Sequence, residues 1–228
     1  MTKKIALVGA GATSRCVLKN FLIFSPDDGD PVIPHLFVGG RNPLVVIVGS
    51  NAAGKSVFGR LVEDHYRKQK VECISISMFG RCQGSFGGMR GFVYGDESWN
   101  ATGVNSAHTV LTGIKTCQGR TQPHMMCWDE PDIGMAEEGA AGMGLAIKKF
   151  ALKPSKHTKG IFVITHSRHL AKQLLPARPH YLHLGIDPSK APPTLKDWVE
   201  REIVPADLRQ LVDDGHARFK AIQKFLKE

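Results

Sequence analysis

Apolar residues fall along this chain in short unbroken runs separated by long mixed segments. Residues 44–48 read Leu-Val-Val-Ile-Val, residues 124–128 His-Met-Met-Cys-Trp, residues 161–165 Ile-Phe-Val-Ile-Thr and residues 181–184 Tyr-Leu-His-Leu. Runs of this length without polar alternation are what strands buried on both faces require. The expected fold class is therefore α/β, a mostly parallel central sheet flanked by helices. Residues 71–78 alternate like a half-buried strand, and residues 4–8 and 36–38 are further short strand candidates. Val57, Phe58, Leu61 and Val62 have helical spacing and predict a helix starting near Gly54. Residues 106–114 and the second half of 133–152 are helix candidates, whereas residues 17–24 fit either element. Residues 25–34 are a loop by composition, and 79–105 carry glycines too irregularly spaced for a core helix. A charged helical tail closes the chain, with a helix start at Pro205-Ala-Asp and apolar positions at Leu208, Leu211, Val212, Phe219, Ile222 and Phe225. Two parts are expected: a main domain over 1–190, and a C-terminal helical extension over 191–228 packed on it.

The chain has 228 residues, 42% of them hydrophobic, enough for a substantial core. No apolar run approaches the length of a membrane span, and the first apolar run is too short for a secretory signal. Cys16, Cys73, Cys82, Cys117 and Cys127 form no Cys-x-x-Cys pair and are read as reduced thiols of a cytoplasmic protein. Charge changes the picture more. The net charge is +9, and residues 139–186 contain no acidic residue but eight Lys or Arg and five His. Such asymmetry favours a polyanionic partner, nucleic acid above all, through the basic segment 148–178; the alternative is a merely solvated basic surface.

The strongest chemical signal follows the run at 44–48. Gly49-Ser50-Asn51-Ala52-Ala53-Gly54-Lys55-Ser56 is glycine, any four residues, glycine, lysine, serine, between a strand and a helix. Such a loop wraps a phosphate with successive backbone N–H groups at the positive end of the helix, and its glycines keep Cβ atoms out of the way. Lys55 is expected to reach the β- and γ-phosphates of a nucleotide, Ser56 to hold Mg²⁺ through its hydroxyl, and Val57 to begin the helix against the ligand. Gly9-x-Gly11, by contrast, is half a dinucleotide fingerprint. It lacks a third glycine and a following acidic residue, so it reads as a strand and turn.

Residues 125–131, Met-Met-Cys-Trp-Asp-Glu-Pro, form an apolar run ending in two carboxylates. Asp129 is expected at the tip of a strand beside the phosphate-loop strand, binding Mg²⁺, with Glu130 orienting a water for in-line attack. A third run ends in Thr165-His166-Ser167, which offers an imidazole to the terminal phosphate.

In this order, the three motifs resemble those of the ATP-binding-cassette (ABC) P-loop ATPases over roughly residues 36–170. The likeness is nearest to the soluble RecF/MutS/SMC-like branch acting on DNA in repair or packaging. The resemblance implies an ATP hydrolase whose two copies sandwich two MgATP in an ATP-dependent homodimer. It further implies that Gly49, Asn51, Gly54, Lys55 and Ser56 bind phosphate, that Asp129 serves the metal, and that Glu130 and His166 are the catalytic glutamate and switch histidine. The family's Leu-Ser-Gly-Gly-Gln signature is absent. Thr102, Gly103 and Asn105 stand nearest in position, and Gln83 is the candidate for the family's metal-contacting glutamine. Phe37 and Arg41 are the candidates for the adenine. Two other readings stay open: the ATPase subunit of a membrane transporter, and an ATP-dependent assembly switch with little turnover. A protein partner docked on the C-terminal helices belongs with the second.

Overall fold

The computed structural model describes residues 9–25, 29–77 and 101–226. Its centre is a six-stranded sheet built from β1 (His35–Val38), β2 (Leu44–Gly49), β3 (Glu72–Ser77), β4 (His124–Asp129), β5 (Thr158–Ile164) and β6 (His180–Leu184). Their spatial order is β1-β6-β2-β5-β4-β3. All neighbours pair in parallel except β1, which runs antiparallel on β6 at one edge. The expected α/β fold with a mostly parallel sheet is thus present.

Both faces of the sheet are covered, which explains the unbroken apolar runs. Leu44, Val46 and Val48 of β2 point to one face with Trp128, Ile161 and Val163. Helices α3 (Thr102–Gly119), α4 (Glu137–Leu152), α5 (Arg168–Leu174) and α6 (Leu195–Glu200) lie on that face. Val45 and Ile47 point to the other face with Cys127, Phe162 and Ile164, under α1 (Ala10–Asn20) and α2 (Lys55–Lys68). The tail serves both faces. On α6, Trp198 is buried with the first set, while Ile222 of α7 (Leu208–Leu226) is buried with the second.

Three expectations are corrected. Gly9 caps α1 and residues 10–12 lie in its first turn, so Gly9-Ala10-Gly11-Ala12 opens a helix where a turn was expected. A Cβ at Gly11 would stand 2.3 Å from the His180 ring, so this glycine serves the close approach of α1 to β6. Helix α3 begins at Thr102 instead of Ser106. The phosphate-loop strand β2 and the acid-bearing strand β4 are not neighbours, because β5 lies between them. The strand expected over 4–8, and most of the glycine-rich segment, fall outside the described residues. Among the described residues no helix is long and apolar enough to cross a membrane. Cys16, Cys73, Cys117 and Cys127 are free thiols, and burial raises that of Cys73 to about 11.

Candidate functional site

Because β2, β5 and β4 are consecutive and parallel, their C-terminal ends open on one edge of the sheet. Gly49, Asp129 and the Thr165-His166-Ser167 turn therefore meet there. The loop after β2 is shaped by backbone conformations that suit glycine. Gly54 has φ 86°, and a Cβ on it would come 2.4 Å from Ile33 Cδ1. A Cβ on Gly49 would come 2.4 Å from the carbonyl oxygen of Leu184. Ala52 adopts a left-handed φ of 55° without being glycine. Strain of this kind costs of order 1 kcal/mol and persists only where the surroundings enforce it.

Lys55 is turned inward. Its Nζ donates to Ser50 O at 2.8 Å and to Gly49 O at 3.3 Å. Burial pulls its pKa down to about 8, against the opposing pull of Glu130 and Asp129. Ser56 Oγ donates to Asp129 Oδ2 at 2.9 Å, joining the helix start to the tip of β4 across 73 positions. Burial raises the Asp129 pKa, and the Ser56 hydrogen bond opposes that rise. A hydroxyl and a carboxylate oxygen so close form a hard-oxygen pair of the type Mg²⁺ uses when nucleotide phosphates and waters complete its shell. No cluster of three or more His, Cys, Asp or Glu suited to a metal occurs among the described residues. A nucleotide-borne Mg²⁺ needs none, because one or two protein oxygens suffice.

Glu130 leaves the strand direction. Its φ is 54°, and its N–H donates to Ile164 O of β5 at 2.9 Å. That kink carries its carboxylate toward β5, where Oε1 lies 3.4 Å from His166 Nε2. The hydrogen bond to His166 holds the Glu130 carboxyl below its usual pKa. Both side chains remain more than one third exposed, so the pair faces solvent at the mouth of the loop. Beside it lies a shallow cleft between the tips of β3 and β4 and helix α3, lined by Ser77, Ser106, Thr109, Trp128 and Asp129.

The remaining sequence candidates separate. Asn105 is 1% exposed on the inner side of α3, so its amide does not stand at the surface. Gly103 packs on the turn after β4, where a Cβ would come 2.8 Å from Gly134 O; Thr102 is exposed beside it. Gln83 lies outside the described residues. The Phe37 ring is engaged within the chain: it stacks on His180 at 5.8 Å and carries the Arg15 guanidinium at 5.7 Å. Arg41 is exposed, and its N–H donates to Arg178 O.

Three residues were missed by the sequence reading. Thr165 and Asp132 hydrogen-bond at 3.0 Å behind the Glu130–His166 pair. Arg218 of α7 donates to Ala52 O of the loop at 3.3 Å. A polar residue closing an apolar run, and an acid two positions past Glu130, were the available signals for the first two. Nothing local marks Arg218.

No family model matches the chain, and no curated protein matches it. Among solved structures, a chain from "Structure of E. coli MS115-1 HORMA:CdnC:Trip13 complex" aligns at 16% identity with a TM-score of 0.33. The alignment covers 55% of this chain and 42% of that one. A likeness so slight carries no argument about fold, activity or partners.

Proposed function

We propose that this chain is an ATP hydrolase of ATP-binding-cassette type, working on MgATP and coupled to DNA. One observation carries the reading. Lys55 and Ser56 stand at the start of a helix behind a glycine-shaped loop, Ser56 is bonded to Asp129 at 2.9 Å, and the Glu130–His166 pair stands on the same sheet edge. A triphosphate needs a cradle, a cation partner and an in-line water, and these groups supply one each.

Backbone N–H groups of residues 50–56 bind the phosphates, and Lys55 exchanges its hydrogen bonds to Ser50 and Gly49 for phosphate oxygens. Ser56 and Asp129 would hold Mg²⁺, which would supply charge neutralisation to the phosphates. Glu130, ionised at neutral pH, accepts a hydrogen bond from water and aligns it with the γ-phosphorus. His166 donates to a γ-oxygen, so loss of that phosphate frees the imidazole to return to Glu130.

The DNA reading rests on charge. Lys153 caps α4, Lys156 leads into β5, Lys159 is its second residue, and Arg178 precedes β6. These positions gather at the N-terminal edge of the parallel strands, remote from the loop, and Lys149, Lys153, Lys156 and Arg178 are exposed. Such a surface binds a phosphate backbone electrostatically, without reading bases.

The test is ATP hydrolysis by the wild-type protein and Lys55→Ala, with and without DNA or RNA. Wild-type turnover abolished by the substitution and raised by DNA is expected. No wild-type turnover and no ATP binding would remove the proposal. Charge reversal at Lys149, Lys153 and Lys156 is expected to abolish salt-sensitive DNA binding. Binding that ignores both salt and reversal would remove DNA as partner.

A second reading, an assembly switch with little turnover, is favoured by an exposed apolar stripe on α7. Leu208, Val212 and Phe219 share one side of that helix and are 73%, 54% and 60% exposed. A stripe of that kind suits a protein partner. Pull-down that depends on ATP but persists in Glu130→Gln would support it.

A further inference from the structure

The phosphate loop has two flanks. On the β5 side stand Ser56, Asp129, Glu130 and His166. On the β6 side α7 returns to the body at three places. A Cβ on Gly215 would lie 3.3 Å from Ala52 Cβ. Arg218 Nη1 donates to Ala52 O at 3.3 Å, and a Cβ on Gly185, just past β6, would lie 3.0 Å from that same nitrogen. Ile222, one turn on, is 7% exposed and packs in the cluster that holds Ala53 and Phe58. The residues of α7 facing the body are therefore fitted to the phosphate loop and the helix behind it. Among the described residues no carboxylate pairs with Arg218. Its guanidinium has five N–H donors, of which Ala52 O engages one nitrogen.

We propose that Arg218 is a nucleotide-binding residue and that α7 forms the wall of the site on the nucleoside side. This rests on the MgATP reading above and extends it to the other end of the ligand. Glu130 and His166 fix where the terminal phosphate reacts. A triphosphate is an extended chain, so its inner phosphate and nucleoside leave the cradle along the opposite flank. There Arg218 is within one side-chain reorientation of the loop, and guanidinium groups bind phosphate oxygens in pairs. The proposal also accounts for the absence of an unengaged aromatic at Phe37: the wall on this side comes from the tail.

The test is titration of fluorescent ATP and ADP analogues into wild type, Arg218→Ala, Arg218→Lys and Lys55→Ala, with thermal melting to verify folding. A contact at the inner end of the ligand serves both nucleotides alike. Arg218→Ala is expected to weaken ATP and ADP by a similar factor, about tenfold or more, equivalent to about 1.4 kcal/mol. Arg218→Lys is expected to recover part of the loss. Wild-type affinity for both nucleotides in Arg218→Ala, with binding abolished in Lys55→Ala, would overturn the proposal and leave the ATPase reading standing. Loss of ATP but not ADP affinity would also overturn it, by moving Arg218 to the terminal phosphate. Failure of the wild type to bind either nucleotide would sink both readings.

Discussion

Thr165 Oγ1 donates to Asp132 Oδ1 at 3.0 Å and accepts from the Ser167 N–H at 2.9 Å, so one buried hydroxyl ties the end of β5 to the turn that follows β4. Glu130 and His166 each lie within two positions of a member of that knot. Their separation is set from behind by a bond neither of them makes. Thr165→Val keeps the shape and removes the hydroxyl, leaving the half-buried Asp132 carboxylate and Ser167 N–H without that partner. The expected cost is about 1–3 kcal/mol of stability, read as a lowered Tm. The expected kinetic signature is a fall in kcat with little change in KM for ATP, since the cradle is untouched, and recovery in Thr165→Ser. A matching rise in KM would show that the knot supports the cradle instead.

Lys55 gives a pH dependence with a definite sign. Its folded pKa of about 8 lies below its ordinary value of 10.5. Between those values the unfolded chain holds more protons, so this group makes stability rise with pH over that window. Nucleotide affinity moves the other way. Phosphate favours the charged ammonium, so affinity falls as pH climbs through 8, and binding at pH about 8.5 takes up protons. Calorimetry in two buffers of different ionisation enthalpy reads the uptake, which Lys55→Met should lack in any residual binding.

Glu130→Gln separates binding from hydrolysis. The amide is nearly isosteric but is a far weaker acceptor toward the attacking water, and the hydrogen bond between Glu130 and His166 loses its carboxylate acceptor. Turnover is expected to fall at least a hundredfold, in the range of general base catalysis, with ATP affinity retained. Sizing chromatography of this variant should show a dimer with ATP and a monomer without it. A monomer in both conditions would count against the sandwich arrangement.

Gly144 tests the scaffold away from the chemistry. A Cβ there would stand 2.5 Å from the backbone oxygen of Leu170 and 2.9 Å from Gln173 Cβ, so α4 and α5 touch almost backbone to backbone. Gly144→Ala is expected to destabilise by about 1–3 kcal/mol through overpacking, seen as an earlier melt. An unchanged melting curve would mean that α5 shifts without cost.

The runs at 44–48, 124–128 and 161–165 made the buried strands legible because each is apolar on both sides. The loop after β2 was legible as a glycine-bounded link between strand and helix because Gly49 and Gly54 lie within one short stretch. The strand order was not, since nothing in β5 says which strands it will separate. The start of helix α3 was read four residues late because its first turn holds Gly103, which packs on the turn after β4, and the buried but polar Asn105, so no apolar repeat marks it. Arg218 was hidden for a related reason. It sits 166 positions from the loop it touches, on a helix whose pattern announces only a tail.

Strand β5 is the spacer between the cradle and the acid. Ile47 of β2 and Asp129 of β4 are both registered against its Ile164, and the Thr165 and Glu130 N–H groups bond to Ile47 and Ile164 carbonyls on either side. The gap between the two halves of the candidate site is therefore two strand spacings fixed by backbone hydrogen bonds, and substitutions at Phe162 or Val163, whose side chains project to opposite faces, reach it only by shifting how those faces pack. In the proposed ATPase, the distance from cradle to acid is thus a dimension of the sheet itself.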